Sequence, residues 1–264
     1  MMKAHQISIV IITEKNILTK YEEISLNRAL KVFSDYNKYL IISEDTDPQY
    51  FLDPNTFIVI KLPKLHFENV NTYSTLLLSD FFYNHFVTSE YILIYQLDCF
   101  VFKNNLKDFL GFDYIGAPWF NSQNHAANSI INTLIFRKPF WALKLVISWF
   151  LRTKTSGVGN GGFSLRKVDK FLEITADEKI KKIIVQWVKN KRPHEDIFYS
   201  YIIPLFAPDF KIADISTALK FSFETYPRKC FALNNQELPL GCHAWAKNDI
   251  QFWREVFDSL DYTI

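Results

Sequence analysis

The stretch YILIYQLDCFVF, residues 91–102, is the most strand-like segment of the chain and decides its fold class. Five apolar or aromatic residues precede Gln96, a run that is typical of a buried strand. Asp98 is the first charged residue of the stretch. An acidic side chain directly after a buried strand lies at a sheet edge, where it either caps the strand or binds a ligand. The sequence alone favours the second role.

Strand-like and helix-like segments alternate around this stretch. Residues 7–13, 39–43 and 57–62 are short β-rich runs, and residues 25–33 and 72–87 have helical length and spacing. This β-α-β-β-α-β order predicts an α/β fold with a mostly parallel central sheet flanked by helices. The chain has 264 residues and shows no internal repeat or low-complexity linker, so we expect a single domain.

Glycine is absent from the first 110 residues and first occurs at Gly111. A dinucleotide-binding turn needs the GxGxxG pattern, and a P-loop needs glycines of its own. Both kinds of site are therefore excluded from the N-terminal half. A nucleotide bound there would be held by side chains and a metal ion.

Composition and charge exclude several classes of partner and site. The net charge of +2 gives no electrostatic case for nucleic acid. Three scattered cysteines form neither a disulfide framework nor a zinc cluster, and their odd number fits a reducing compartment. The apolar run Ile7–Ile12 is shorter than a signal-peptide core, and no stretch reaches the length of a membrane span. We therefore expect a cytoplasmic protein.

Six motifs follow one another in the chain: YILIYQLDCFVF, FDYIGAPWF, VGNGGFSLR, HEDIFYS, ALKFSFE and LPLGCHAW. In order and spacing they resemble DUF5672, a bacterial family catalogued as a domain of unknown function and regarded as glycosyltransferase-like. The resemblance spans roughly residues 70–257. It implies one GT-A-like domain over residues 1–264 that transfers a sugar. About residues 1–110 would form the donor nucleotide half and about 111–264 the acceptor half.

The resemblance implies a metal site at Asp98. In GT-A enzymes a DxD motif at this place binds a divalent cation, Mn²⁺ or Mg²⁺, which neutralises the diphosphate of the donor. Here Gln96 replaces the first acid and Asp98 keeps the second. His243 is a second metal ligand by the same resemblance, and imidazole suits Mn²⁺ better than Mg²⁺. The alternative for His243 is simple packing beside Trp245.

Glu195 and Asp196 are the candidate catalytic pair. They resemble the acceptor-site ED pair of inverting galactosyltransferases, in which a carboxylate takes the proton of the attacking hydroxyl. By that resemblance Asp196 is the general base and Glu195 binds the acceptor, so we expect inversion. His194 is a weaker candidate base. The alternative is a charge pair that suits the first turn of a helix.

Further residues are expected to contact the donor and the acceptor. Asn160, Gly161 and Gly162 would face the donor sugar, because adjacent glycines let the backbone approach a ligand closely. Trp119 would stack on the acceptor, and Thr13, at the end of the first strand, would lie near the nucleobase. The donor would be a nucleotide sugar, with UDP-sugars first among the candidates. The acceptor would be a saccharide or a lipid-linked glycan of bacterial surface polysaccharide synthesis.

Residues 139–152, PFWALKLVISWFLR, are predicted to form a helix that is apolar almost all round. Such a helix is normally buried in protein. Its basic flanks, Arg137, Lys138, Arg152 and Lys154, are instead typical of an interfacial helix on anionic lipid. The sequence leaves both interpretations open, and the second predicts peripheral contact with the inner membrane.

Two other functions compete with sugar transfer. A sugar-1-phosphate nucleotidyltransferase would carry a glycine-rich loop after the first strand, which TEKNILTK lacks. A non-catalytic carbohydrate-binding or scaffold module is the second alternative, because the DxD motif is altered at Gln96.

Overall fold

The chain folds around a twisted central sheet. The computed structural model of the protein describes residues 7–47, 56–120, 157–189, 194–262 and 264. The helix expected at 139–152 lies outside these residues. The strands are β1 Ile7–Thr13, β2 Asn37–Ser43, β3 Ile58–Leu62, β4 Tyr91–Tyr95, β5 Cys99–Val101, β6 Tyr114–Ile115, β7 Ala117–Trp119, β8 Gly157–Gly159, β9 Phe163–Lys167, β10 Ser222–Phe223 and β11 Gly241–His243.

The helices of the described residues surround this sheet. They are α1 Lys20–Val32, α2 Val70–Leu77, α3 Asp80–Asn84, α4 Val168–Ala176, α5 Glu178–Lys189, α6 Glu195–Ile197, α7 Ile203–Phe206, α8 Ile215–Phe221, α9 Pro227–Leu233 and α10 Ile250–Asp258. A π-helical turn, Phe198–Ile202, joins α6 to α7, and short 3-10 turns lie at Lys64–His66 and Leu106–Phe109. None of these helices is long and apolar enough to cross a bilayer.

The central sheet has the order β3-β2-β1-β4-β9-β6. Strands β1 to β4 pair in parallel, while β9 runs antiparallel to both β4 and β6. The prediction of a mostly parallel sheet flanked by helices is therefore confirmed. Two smaller sheets, β10-β11-β5 and β7-β8, lie beside it.

The isoleucine run of β1 explains why the sheet is covered on both faces. Val10 and Ile12 belong to one buried cluster, and Ile7, Ile9 and Ile11 belong to another. Successive side chains of a strand point to opposite faces, so a continuous apolar strand needs a core on each side. A third, aromatic cluster packs the C-terminal part around Phe100, Trp245 and Trp253.

Two helix boundaries differ from the sequence prediction because of capping. Helix α1 begins at Lys20 rather than at 25, since Thr19 and Glu22 form a capping box. The helix expected over 72–87 is divided into α2 and α3, because Ser79 caps the second helix with its side chain.

Residues 91–102 also form two strands rather than one. Gln96 leaves the sheet by donating its backbone N–H to Gly162 O at 2.9 Å, and Cys99 N–H donates to Gln96 O at 3.0 Å. The resulting turn carries Gln96, Leu97 and Asp98 between β4 and β5, which lie in different sheets. The polar residues of the motif are thus in a loop at the carboxyl end of β4.

Candidate active site

The strand order places a cleft at the carboxyl ends of β1 and β4. From β1 the chain continues outward to β2 and β3 on one side, and β4 lies on the other. Such a topological switch point is where open α/β sheets bind ligands. A cavity of about 590 Å³ lies there. It is lined by Ile12, Thr13, Glu14, Lys15, Thr19, Tyr21, Glu22, Phe67, Glu68, Asn69, Val70, Tyr73, Gln96, Leu97, Asp98, Trp245, Ala246 and Lys247.

Asp98 and His243 meet at the edge of this cavity. β11 pairs antiparallel with β5, and His243 lies opposite Cys99 in that pairing. The register brings His243 Nε2 to 3.1 Å from Asp98 Oδ1. Lys247 Nζ donates to Asp98 Oδ2 at 3.0 Å. Oδ1 is buried and faces the imidazole Nε2, so the two residues offer neighbouring ligand atoms.

Gln96, the residue that replaces the first acid of DxD, joins the same cluster. Its Nε2 donates to Tyr73 Oη at 3.0 Å, which directs its Oε1 towards His243 Nε2 at 3.3 Å. Neighbouring ligands of an octahedral cation with bonds of about 2.1 Å lie about 3 Å apart. His243 Nε2 lies at about this spacing from both oxygens, Asp98 Oδ1 and Gln96 Oε1, and these are donor atoms that divalent cations accept.

Glu224 orients the imidazole of His243. Its Oε1 lies 3.1 Å from His243 Nδ1, which leaves Nε2 directed at Asp98. A carboxylate behind a metal-bound histidine is the usual means of fixing its tautomer and its ring orientation. Glu224 directly follows β10, and β10 pairs in parallel with β11.

The charges of this cluster shift the pKa values of its members. Burial opposes ionisation of Asp98, but His243 and Lys247 outweigh it and hold the pKa of Asp98 well below its usual range. Burial also opposes protonation of His243, but Asp98 and Glu224 raise the pKa of His243 to about 9. A site that stabilises positive charge this strongly suits a bound cation.

Cys99 is also close to the cluster, with Sγ within 4.8 Å of ligand atoms of Asp98 and His243. Burial raises the pKa of the Cys99 thiol well above its usual range, so the sulfur stays protonated. Its thiol donates to Gly162 O at 3.2 Å. Because hard cations prefer oxygen ligands, we do not expect Cys99 to hold the ion.

Glycines let the loop between β8 and β9 approach these side chains. A Cβ on Gly162 would lie 2.2 Å from His243 Nε2, and a Cβ on Gly161 would lie 2.2 Å from Glu195 Oε1. Asn160 has a φ of 98°, which is strained for a residue with a side chain. Its Oδ1 accepts the N–H of Gly162 at 2.7 Å and so holds the turn. Asn160 Nδ2 is buried without a partner among the described residues.

Trp119 is joined to this cluster through Glu224. Its Nε1 donates to Glu224 Oε2 at 3.2 Å, and its ring stacks on Tyr201 with centroids 6.0 Å apart. A Cβ on Gly159 would lie 2.1 Å from the Trp119 ring, so the ring packs directly against the glycine. Trp119 is partly exposed. Glu224 thus bridges His243 and Trp119.

Glu195 and Asp196 begin helix α6 but have different surroundings. Glu195 is 4 % exposed and is paired with Arg166 at 3.3 Å and Ser74 at 2.9 Å. Asp196 is partly exposed, and its Oδ1 accepts the N–H of Ile197. Burial raises the pKa of Asp196 to about 7, and the charges of Glu195 and Glu224 act in the same direction. This is the pKa that a general base needs near neutral pH.

The structure therefore brings most of the candidate residues to one cleft. Thr13, Gln96 and Asp98 line the cavity, and His243 contacts Gln96 and Asp98. Gly161 and Gly162 pack against Glu195 and His243, and Trp119 is joined through Glu224. Glu224, Lys247 and Arg166 were not predicted from the sequence, although they stand in or next to the motifs ALKFSFE, LPLGCHAW and VGNGGFSLR, respectively.

Solved structures with a similar fold are glycosyltransferases. The chain matches an active-site mutant of LgtC, and the galactosyltransferase LgtC in complex with donor and acceptor sugar analogs, each with a TM-score of 0.58 and 15 % identity. The first match covers 97 % of both chains, and the second covers 96 % of this chain and 94 % of that one. Mouse xyloside xylosyltransferase 1 in its apo form matches with a TM-score of 0.53 and 9 % identity, over 90 % of this chain and 97 % of that one.

At these identities the likeness shows the fold, which is the GT-A fold. No curated protein matches the chain in sequence. The family described as "Protein of unknown function (DUF5672)" matches residues 56–243, which is more than half of the chain. This range includes Asp98, Asp196 and His243 but not Thr13. The chain belongs to the DUF5672 family.

Proposed function

We propose that this protein is a metal-dependent glycosyltransferase that moves a sugar from a nucleotide-sugar donor to a saccharide or lipid-linked acceptor in bacterial surface polysaccharide synthesis. The observation that carries the proposal is the Asp98–His243 pair, whose ligand atoms lie 3.1 Å apart beside the cavity at the switch point of the sheet. LgtC, which shares the fold, binds donor and acceptor sugar analogs.

The cleft divides into a donor side and an acceptor side. We propose one domain in which residues 1–110 supply most of the donor side, since most residues that line the cavity precede Gly111. Trp245, Ala246 and Lys247 complete this lining from the acceptor half, residues 111–264. UDP-sugars are the first candidates for the donor, with Thr13 near the nucleobase.

Asp98 Oδ1, His243 Nε2 and the Gln96 amide oxygen would hold the divalent cation, with Mn²⁺ favoured by the imidazole. The cation would neutralise the diphosphate as it leaves. Lys247 lies on Asp98 and has an exposed side chain, so its ammonium can turn to the same phosphates. Charge from Lys247 and from the ion together would stabilise the departing nucleotide.

The sugar would lie against the Asn160–Gly162 loop, with Asn160 Nδ2 free to donate to one of its hydroxyls. The acceptor would stack on Trp119 and approach Asp196. Asp196 would take the proton from the acceptor hydroxyl as its oxygen bonds to the anomeric carbon and the nucleoside diphosphate leaves from the opposite face. Such a single displacement inverts the anomeric configuration. Its raised pKa and its partial exposure support this role.

Replacing Glu224 by Gln should weaken metal binding. The amide keeps the shape of the side chain but removes the charge that holds His243 Nδ1–H, so the imidazole loses orientation and basicity. We expect Mn²⁺ affinity to fall about 10- to 100-fold, measured by calorimetric titration. An unchanged Mn²⁺ affinity would show that Glu224 does not support a metal ligand.

A thermal-shift screen identifies the donor. The protein is tested against UDP-, GDP-, CMP- and dTDP-sugars, each with and without Mn²⁺. We expect one nucleotide class to raise the melting temperature, and to do so only with the metal, because a ligand that binds the folded state stabilises it. A protein that responds to saccharides but to no nucleotide sugar would instead be a carbohydrate-binding module.

Peripheral membrane contact through residues 139–152 is a further part of the proposal, and these residues lie outside those that the structure describes. Flotation with anionic vesicles at low salt measures it, and we expect binding that Trp141→Glu and Trp149→Glu reduce. Absence of wild-type binding would place this helix in the protein core.

A further inference from the structure

Arg166 is a charged residue at the centre of the fold. It lies in β9, within the sheet, and its side chain is 0 % exposed. The rings of Tyr114, Phe171 and Tyr199 surround the guanidinium at 5.6 to 5.8 Å. Burying a cation is costly unless its partners compensate, and an apolar side chain of the same size would often be at least as stable. Such a residue calls for a role other than stability.

The hydrogen bonds of Arg166 connect three segments that are distant from one another in the chain. Nη2 lies 3.3 Å from Glu195 Oε1 and 3.5 Å from the carbonyl oxygen of Gly161. Nη1 donates to Tyr83 Oη at 2.9 Å. One guanidinium therefore contacts the start of helix α6, the glycine loop and helix α3.

The carboxylate of Glu195 is buried away from an acceptor in this arrangement. Its second oxygen accepts the hydroxyl of Ser74 at 2.9 Å, so both carboxylate oxygens have partners inside the protein. The bare Cα of Gly161 packs against Oε1. Glu195 is adjacent to Asp196, and its position decides where Asp196 stands.

We propose that Arg166 and Glu195 are positioning residues that fix Asp196 relative to the Asn160–Gly162 loop. The sequence motif alone suggested that Glu195 binds the acceptor. In this proposal Glu195 instead acts inside the protein, through its contacts with Arg166 and Ser74. Arg166 holds the two segments that would meet the reacting sugar at a fixed distance from each other. This inference rests on the proposed glycosyl transfer for its kinetic test, while its structural test does not need substrate.

The kinetic test compares Arg166→Lys with the double variant Arg166→Met/Glu195→Gln. Donor turnover and donor KM are measured with the nucleotide sugar found in the screen. We expect Arg166→Lys to lower kcat about 10-fold or more with little change in donor KM, because a small displacement of a reacting group is costly. The double variant leaves no unpaired charge, so its melting temperature should return close to that of the wild type while kcat stays low.

Arg28→Lys is the matched control. Arg28 is partly buried, donates to the carbonyl oxygens of Val101 and Phe102, lies over the rings of Phe100 and Tyr262, and does not line the cavity. The Arg28→Lys variant should be less stable than the wild type but should keep its kcat. A double variant that turns over at the wild-type rate would show that the pair is structural only, and would overturn the proposal.

Amide hydrogen exchange without substrate separates this inference from the proposed function. Arg166→Lys should raise exchange in residues 160–163 and 194–199 together, and Arg28→Lys should not. If the wild type transfers no sugar, the proposed function fails, and a joint rise in exchange still supports the positioning role. Exchange that stays at wild-type rates in both segments would overturn it.

Discussion

Asp98→Asn is expected to abolish sugar transfer while the fold stays intact. The amide keeps the size of the side chain but removes the charge, and with it the ligand that Asp98 Oδ1 offers beside His243. Losing the metal site removes several kcal/mol of transition-state stabilisation, about a thousandfold or more in rate. Turnover of the nucleotide sugar and Mn²⁺ affinity are measured together, with circular dichroism as the check on folding.

Asp209→Asn is the control for this change. Asp209 is also ion-paired with a lysine, Lys170, but it is an exposed residue and lines no part of the cavity. Its replacement should leave turnover unchanged. Near-normal turnover in Asp98→Asn, at unaltered metal affinity, would mean that Asp98 does not hold the metal.

Asp196→Asn is expected to lower kcat about 100-fold or more, the usual effect of losing a general base. Donor KM should change little, because Asp196 does not line the donor cavity. Glu195→Gln should be less damaging, since Glu195 acts through its neighbours. If Glu195→Gln instead costs far more kcat than Asp196→Asn, the roles within the pair are reversed.

The pH dependence of turnover follows from the same residue. Burial and the charges of Glu195 and Glu224 raise the pKa of Asp196 to about 7, and only the ionised carboxylate can accept a proton. Activity of the wild type should therefore rise with pH through about 7 and level off above it. Asp196→Asn should lose this limb of the profile, and a wild-type rate that is flat from pH 5 to 8 would contradict the assignment.

Local sequence patterns predicted the sheet well. The isoleucine run of β1 and the residues YILIY of β4 are buried on both faces, so their composition alone identifies them as central strands. The same pattern could not reveal that residues 91–102 divide at Gln96. That break depends on a hydrogen bond to Gly162, which is more than sixty residues away in the chain.

The site residues that could be predicted are those whose role follows from the motifs of the family resemblance. Asp98 and His243 were paired by resemblance, and the pairing of β11 with β5 brings them together. Glu224 was missed because its role depends on two contacts, to His243 and to Trp119, that come from distant parts of the chain. Arg166 was missed because a single charge within a strand-like run does not reveal whether it faces solvent or the core.

Glu195 illustrates how burial changes an interpretation. By spacing alone, Glu195 and Asp196 are equivalent acids at a helix start, and only the resemblance assigned Asp196 as the base and Glu195 as the acceptor-binding group. In the fold, Arg166 and Ser74 occupy the first carboxylate, while the second is partly exposed. The distinction comes from three-dimensional packing, which spacing along the chain does not encode.

The central claim is that this chain uses a divalent cation at Asp98 and His243 to transfer a sugar from a nucleotide. The most direct test measures release of the nucleoside diphosphate from the donor found in the screen, in the presence of acceptor saccharide, first in a chelator and then after Mn²⁺ is restored. We expect the chelator to stop turnover and Mn²⁺ to restore it. Turnover that persists in the chelator, or no turnover of any nucleotide sugar with Mn²⁺ present, would contradict it.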